Sequence, residues 1–329
     1  MSSATVSRAL GGSYPVASRT RNKIQRAIEE LGYVANAHAR ALAGTTTRTV
    51  GLLIGDLVDP FFSHIARGAE REIAAAGHLC LIATAERDPR RELLFLDLML
   101  EQRAEAVILV GGADPDSPLA PQFARRARSF AANSGRLVLC GRPPVGAPTP
   151  AVRYDNEGGA AAITEYLLAA GHERILFLGG PHRLSTTTDR VAGYRRALDA
   201  RNVPVDPKLI HTGGFGRLYG YEQMTAILAG GTDFTAVFAA NDNVGAGVFR
   251  ALEEHGIRVP QDMSVVGYDD VPIASALTPP LTTVHVPLEE LGREAARLAL
   301  GMPGEDPGER DVVVGTHIVI RDSVSAPPR

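Results

Sequence analysis

Residues 49–84 read TVGLLIGDLVDPFFSHIARGAEREIAAAGHLCLIAT. Two short apolar runs, TVGLLIGD (49–56) and LCLIAT (79–84), flank PFFSHIARGAEREIAAAG (60–77), whose apolar residues recur at helical spacing and stop at Gly77. Strand, helix and strand of these lengths make one βαβ crossover, which sets the two strands parallel. The runs are continuously apolar, not alternating, so both faces of each strand are expected to be covered.

The alternation extends outward from this unit. RRELLFLDLMLEQ (90–102) has helical spacing, AEAVILVGG (104–112) and RLVLCG (136–141) are strands, and a helix falls between them near 120–131. Beyond AVRYDN (151–156) helices and strands alternate again, from EGGAAAITEYLLAAG (157–171) to MSVVGYDD (263–270). These are too many βα units for one comfortable sheet, and PAVRYDNEGG (150–159) divides them into two similar halves. Residues 279–300 and 311–322 follow the second half and are placed to cross back between the two. The expected fold is α/β, with two doubly wound parallel-sheet lobes. The first comprises 49–154 with 286–308, the second 155–285 with 309–324. A small ligand would bind in the cleft where the strand ends of the two lobes meet.

Residues 1–48 have a different character. They carry seven basic against two acidic residues, a net +5 in a chain whose total is −3, leaving −8 on the body. A basic head on an acidic body is the asymmetry expected when one end meets a polyanion. VASRTRNKIQRAIEELGY (16–33) reads as a helix capped by Ser18, with Ile24, Ala27, Ile28 and Leu31 on one face and Gly32 as its stop. NAHARALAG (36–44) is a short Ala-rich helix and TTTR (45–48) a linker. Helices this few bury no core alone. No apolar stretch reaches membrane-spanning length, and the N-terminus lacks the basic-then-apolar pattern of an export signal. Cys80 and Cys140 sit in apolar strand-like runs and read as small buried hydrophobes. Together these features point to a soluble cytoplasmic protein without a membrane partner.

Several of these segments, in this order, resemble the lac repressor/galactose repressor (LacI/GalR) family of bacterial transcription regulators. SSATVSRALGG (2–12) is similar to that family's recognition helix and following turn, SRTRNKIQRAIEELGYVAN (18–36) to its third helix, and HARALAG (38–44) to its hinge helix. GHERILFLGGP (171–181), DRVAGYRRAL (189–198), FAANDNVGAG (238–247) and MSVVGYDDVPIASALTPPLTTV (263–284) resemble successive signatures of its effector domain. The resemblance implies a type I periplasmic-binding-protein-like effector domain, preceded by an incomplete all-α helix-turn-helix headpiece (1–35) and a hinge helix with linker (36–48). The family pattern starts with one more helix. Met1 falls where the family often carries Val, so the expectation is either that the true start lies upstream and a valine codon was read as the initiator, or that the headpiece is truncated, with operator binding weak or absent in the chain as it stands.

In a helix-turn-helix the second helix enters the major groove. The resemblance places Ser3 and Ala4 at base edges with Arg8 a turn further on, where Arg suits guanine and Ala a thymine methyl. Ser2, Thr5, Ser7, Thr20 and Asn36 carry short polar groups suited to phosphates. Leu42 matches the residue the family wedges into the minor groove at the operator centre. The implied partners are a pseudo-palindromic operator, a second copy of the chain bound through first-lobe helices including the one after Pro60, and a small-molecule effector. The tail RDSVSAPPR (321–329) has no heptad repeat, so no coiled-coil tetramer is expected.

For the effector, the resemblance brings Arg190, Asn241 and Asp269 to the cleft, with Arg142 and Asp155 at the first crossover. Arg is a fork of donors, Asp an acceptor and Asn both, a mixture that suits a polyol. Phe61, Phe62 and Phe215 are placed to stack on a ring, although each is equally at home in a core. Asp242 reads as the cap of the helix that follows it. Purine-responsive members use an Arg where Leu184 stands, so a sugar is favoured. A sugar-binding protein of the same fold without DNA-binding activity is the alternative, but it leaves the basic head unexplained. An NAD-dependent enzyme is disfavoured because no G-x-G-x-x-G follows a strand. The nine His residues are scattered without metal-ligand spacing, and no cofactor is expected.

Overall fold

The computed structural model describes residues 6, 17–32, 47–231, 233–301 and 311–328. Helix α1 (Ser18–Leu31) precedes two α/β lobes. The amides of Thr20 and Arg21 both bond to the Ala17 carbonyl, so the cap position falls on Ala17 and not on Ser18. Of the expected apolar face, Ile24 is buried whereas Ala27 and Leu31 are exposed.

In the first lobe, β1 (Thr47–Ile54), α2 (Pro60–Ala75), β2 (Leu79–Thr84), α3 (Pro89–Glu101), β3 (Ala104–Val110), α4 (Ala120–Ala132), β4 (Arg136–Cys140) and β5 (Ala151–Tyr154) follow in order. Two of its helices start alike. Asp59 accepts from the Phe61 amide and Asp88 from the Arg90 amide, each followed by Pro at the first helical position, where a missing N–H costs nothing. The second lobe contains α5 (Asn156–Ala169), β6 (Ile175–Leu178), α6 (Ser185–Ala200), β7 (Ile210–His211), α7 (Arg217–Ala229), β8 (Ala236–Ala239), α8 (Asp242–Glu254), β9 (Ser264–Asp269), α9 (Pro272–Ala276) and β10 (Thr282–His285). The chain then returns through α10 (Leu288–Leu300), β11 (Asp311–Val314) and β12 (His317–Val319).

Among the described residues each sheet has six strands, ordered β11-β5-β4-β3-β1-β2 and β12-β10-β9-β8-β6-β7, parallel except where β12 runs antiparallel to β10. β11 pairs with β5, and Arg153 and Asp311 form an ion pair across that edge. The segment 309–324 is therefore divided. Its first strand extends the first lobe's sheet, and the chain joins the second lobe only from His317. The lobes are crossed near residues 155, 286 and 315.

Central strands are buried on both faces, as the continuous apolar runs require. Strand β2 departs from that expectation: Leu79, Leu81 and Ile82 are exposed at the sheet edge, and Cys80 is only half-buried beside them. Cys140, on β4, is fully buried, and burial pushes its thiol up to about 12.

Three helix pairs cross closely through glycines. A Cβ on Gly292 of α10 would lie 2.1 Å from the Ile65 carbonyl of α2, and one on Gly68 equally near the Glu289 carbonyl. Gly193 meets the α5 backbone in the same way, and Gly220 and Gly247 meet across α7 and α8. The tail is bound in, with Ser323 bonded to both Val265 and Thr282. No helix among the described residues is long and apolar enough to cross a membrane.

Candidate effector site

The strand ends of the two lobes face each other across a cleft. From the first lobe, Phe61 and Phe62 come from the opening turn of α2, Arg87 from the β2–α3 loop, Gly111 and Gly112 from the end of β3, and Tyr154 from the end of β5. From the second, Thr186 and Arg190 come from α6, Phe215 precedes α7, Asn241 follows β8 and Asp269 ends β9. Together with Asp59 and Leu184 these residues enclose about 40 Å³ of open space.

Arg190 organises the second-lobe wall. Its Nε donates to Asn156 Oδ1 at 2.9 Å and its Nη2 to Asp269 Oδ1 at 2.8 Å and to the Tyr154 hydroxyl at 3.4 Å. Nη1 donates to the Ala240 carbonyl, and the guanidinium lies 3.7 Å from the centre of the Tyr268 ring. With 1% of the residue exposed, burial works against the charge, but Asp269, Tyr154 and Tyr268 outweigh it and hold Arg190 ionised. Asp269 is also buried, which raises its pKa above the ordinary carboxylate range, with Arg190 acting in the opposite direction. Its backbone has φ +99° and that of Asp270 +57°. Consecutive side chains held in the left-handed region are strained, and the kink turns Asp269 off the strand into the cleft.

Asn241 caps α8, its Oδ1 accepting from the Val244 amide, while its side chain also borders the cleft. Capping thus falls to Asn241 and not to Asp242. Asp242 is fully buried and accepts from the Thr283 hydroxyl and the Val271 amide, and burial holds its pKa well above the usual value. Across the cleft, burial raises Asp59, opposed by its bond from the Phe61 amide. Arg87 lies over the rings of Phe62 and Phe215, 5.9 and 5.2 Å from their centres.

Further bonds join the lobes at the rim. Ala113 and Ser185 bond through both backbones and the Ser185 hydroxyl, Arg183 reaches Asp114 and Asp116, and Asn243 reaches Asp59 at 3.4 Å.

Six of the eight residues expected at the effector site line this cleft: Phe61, Phe62, Arg190, Phe215, Asn241 and Asp269. Arg142 and Asp155 do not. The Arg142 guanidinium is spent on Glu92 through both Nη atoms and on the Gly111 carbonyl through Nε. Asp155 caps α5, accepting from the Gly158 amide at 2.7 Å. Asp59, Arg87, Tyr154 and Thr186 line the cleft as well; two of them carry a signal in the sequence, since Asp59 precedes a helix-opening Pro and Tyr154 ends the dividing strand. Among the residues expected to contact DNA only Thr20 is described, half-buried in the first turn of α1. Ser2, Ser3, Ala4, Thr5, Ser7, Arg8, Asn36 and Leu42 lie outside the described residues.

Residues 1–36 match the family of bacterial regulatory proteins, lacI family, and residues 164–324 match the periplasmic binding protein-like domain. The chain is 34% identical over 328 residues to the HTH-type transcriptional regulator GalR of Escherichia coli strain K12, covering 99% of this chain and 93% of GalR. The transcriptional regulator CelR–cellobiose complex superposes with a TM-score of 0.74 at 34% identity, covering 97% of this chain and 95% of that one. The lac repressor dimer bound to operator and the anti-inducer ONPF gives 0.80 at 26% identity, covering 98% and 95%. A relative this similar along almost the whole sequence, joined to two lobes of matching architecture, places the chain in the lacI family of bacterial regulatory proteins.

Proposed function

We propose that the chain is a repressor whose grip on a pseudo-palindromic operator is set by a sugar-class molecule held between its lobes. The observation that carries the sugar reading is the cleft's composition: aromatic faces at Phe61, Phe62 and Phe215 beside Asp59, Asp269, Asn241 and Thr186. Aromatic faces pack on the C–H face of a pyranose, and carboxylates with an amide serve its hydroxyls. Arg190 acts indirectly in this reading, since its donors hold Asp269 in place. Support for a sugar also comes from a relative, CelR, whose structure is a complex with cellobiose.

The lobe-to-lobe bonds at the rim give the ligand something to change. A molecule that binds one lobe arrangement better than the other shifts the population, and operator and effector affinities are then reciprocally coupled. A second copy of the chain has a surface to cover on the first lobe, where Leu79, Leu81 and Ile82 of β2 and Leu94 and Leu98 of α3 are exposed.

A thermal-shift screen of sugars and nucleosides tests the reading directly. A cognate sugar at 100 times its Kd adds about 2.7 kcal/mol to native stability. Gel shifts with operator DNA then read the coupling, and Asp269→Ala should lose the sugar response. A variant that responds as the wild type does, or a screen in which nucleosides alone stabilise, overturns the proposal.

A further inference from the structure

Spacing along the chain separates the histidines, but strand pairing brings two of them together. His285, the last residue of β10, stands directly opposite His317, the first of β12, where these strands run antiparallel. Directly opposed residues project their side chains from the same face of a sheet. The two rings lie 4.8 Å apart, centre to centre, and 40° from parallel. Their nitrogens are unequally engaged. His285 Nδ1 lies 2.9 Å from Asp270 Oδ2, and the other oxygen of that carboxylate accepts from Arg321 Nη2 at 2.6 Å. A carboxylate only accepts, so Nδ1 carries the proton and Nε2 keeps its lone pair. Among the described residues no hydrogen bond reaches His285 Nε2 or either ring nitrogen of His317. His317 is exposed and His285 partly so, and both rings meet solvent.

The geometry points to a divalent transition-metal site at this pair, with His285 Nε2 and one nitrogen of His317 as ligands and water completing the shell. A metal about 2.1 Å from one nitrogen of each ring sits about 3.2 Å from each ring centre, so a right-angled to tetrahedral chelate sets the centres about 4.5–5.2 Å apart. The observed spacing falls within that range. No hydrogen bond fixes His317, so its ring is free to turn its nitrogen to the metal. Asp270 supplies the carboxylate that orients a metal-binding imidazole from behind. No group of three or more His, Cys, Asp or Glu among the described residues could hold a metal, so the site has two protein ligands and stays open to water. Imidazole suits Zn²⁺, Ni²⁺ and Cu²⁺, whereas Mg²⁺ and Ca²⁺ take oxygen ligands. A bound ion ties β10 to β12 beside two of the three lobe crossings, those near residues 286 and 315.

Calorimetric titration of the whole untagged chain with NiCl₂ and ZnCl₂, and with MgCl₂ as the hard-cation comparison, tests the site. The wild type should bind Ni²⁺ and Zn²⁺, Ni²⁺ the more tightly, and should not bind Mg²⁺. His285→Gln and His317→Gln, each checked for cooperative unfolding, should each bind as weakly as the double variant, because one imidazole makes no chelate. His182→Gln removes an exposed histidine from the β6–α6 loop and should leave the affinity unchanged. Asp270→Ala should weaken binding about 10–100-fold. Asp270→Asn, whose amide oxygen still accepts from Nδ1, should recover most of that loss. A wild type that takes up neither Ni²⁺ nor Zn²⁺ overturns the site, as does wild-type affinity in either histidine variant or an equal loss in His182→Gln. Unchanged affinity in Asp270→Ala overturns its part in orienting the ring.

Discussion

Arg190→Met isolates the interaction on which the cleft depends. Methionine keeps much of the volume but removes the charge and all five donors. Four acceptors lose their partner: Asp269 Oδ1, Asn156 Oδ1, the Ala240 carbonyl and the Tyr154 hydroxyl oxygen. The carboxylate dominates, because a buried charge stripped of its counterion costs about 3–5 kcal/mol. For a lobe of this size each kcal/mol moves the midpoint by about 2–4 °C, so a fall of about 6–20 °C is expected. The effect depends on pH. Burial already lifts Asp269, and Arg190 is the main opposing influence, so without it the carboxyl holds its proton to higher pH. An acid whose folded-state pKa is raised destabilises only where it is ionised. The deficit of the variant should therefore be larger at pH 8 than at pH 5. Adding Asp269→Asn removes the stranded charge, and the double variant should be more stable at pH 8 than Arg190→Met alone. Thermal unfolding of the four proteins at both pH values is the assay. A loss below about 1 kcal/mol, or single effects that simply add in the double variant, would refute the argument.

Gly292→Ala should cost about 1–3 kcal/mol or more in thermal unfolding, because the new methyl lies 2.1 Å from the Ile65 carbonyl and the helices must part. Gly216→Ala, at φ −84° with nothing within 4 Å, is the matched control and should be nearly silent. Asp242→Asn keeps both hydrogen bonds if the Thr283 hydroxyl turns to accept. Asp242 has a raised pKa in the folded state, so the wild type loses stability as pH climbs from the ordinary aspartate range through that value. The variant should lack that component, and denaturant unfolding at pH 5 and 8 should show a flatter profile. An unchanged slope would mean that Asp242 is not the group responsible. Leu81→Lys with Leu94→Lys should convert a dimer to monomers in sedimentation without loss of cooperative unfolding. A persistent dimer would place the interface elsewhere.

Much of this architecture is legible from periodicity alone. Buried parallel strands leave continuous apolar runs, and most helices here end near a glycine or begin near an Asp-Pro, so the order of elements can be read locally. Two features resist that reading. Edge position is a property of the sheet: LCLIAT looks like a core strand, and only pairing shows that β2 has a neighbour on one side. The end of the chain is the other. DVVV and HIV are similar short apolar runs, and which lobe each joins depends on the edge it finds, β5 for one and β10 for the other. At the site, Phe61, Phe62, Asn241 and Asp269 stand at strand ends or first helical turns and line the cleft, whereas Arg142 turns to Glu92 and Asp155 to the amide that opens α5. Position after a strand brings a side chain near the crevice; which way it then turns depends on partners distant in sequence, Glu92 for Arg142 and Asp269 for Arg190.

The same accounting bears on how binding reaches the rest of the molecule. About 40 Å³ holds roughly three waters, too little for a hexose. A sugar gains room if Arg87 leaves its place over Phe62 and Phe215 or the lobes part at the Ala113–Ser185 and Asp59–Asn243 bonds. Arg87 sits on two consecutive residues with positive φ, Glu86 at 52° and itself at 59°, in the loop leaving the exposed edge strand β2. The first route moves the loop between β2 and α3, the two elements whose apolar side chains are exposed. Ligand affinity and lobe arrangement are then two readings of one equilibrium, and a ligand favouring the opened cleft must weaken whatever the closed one stabilises by the same factor.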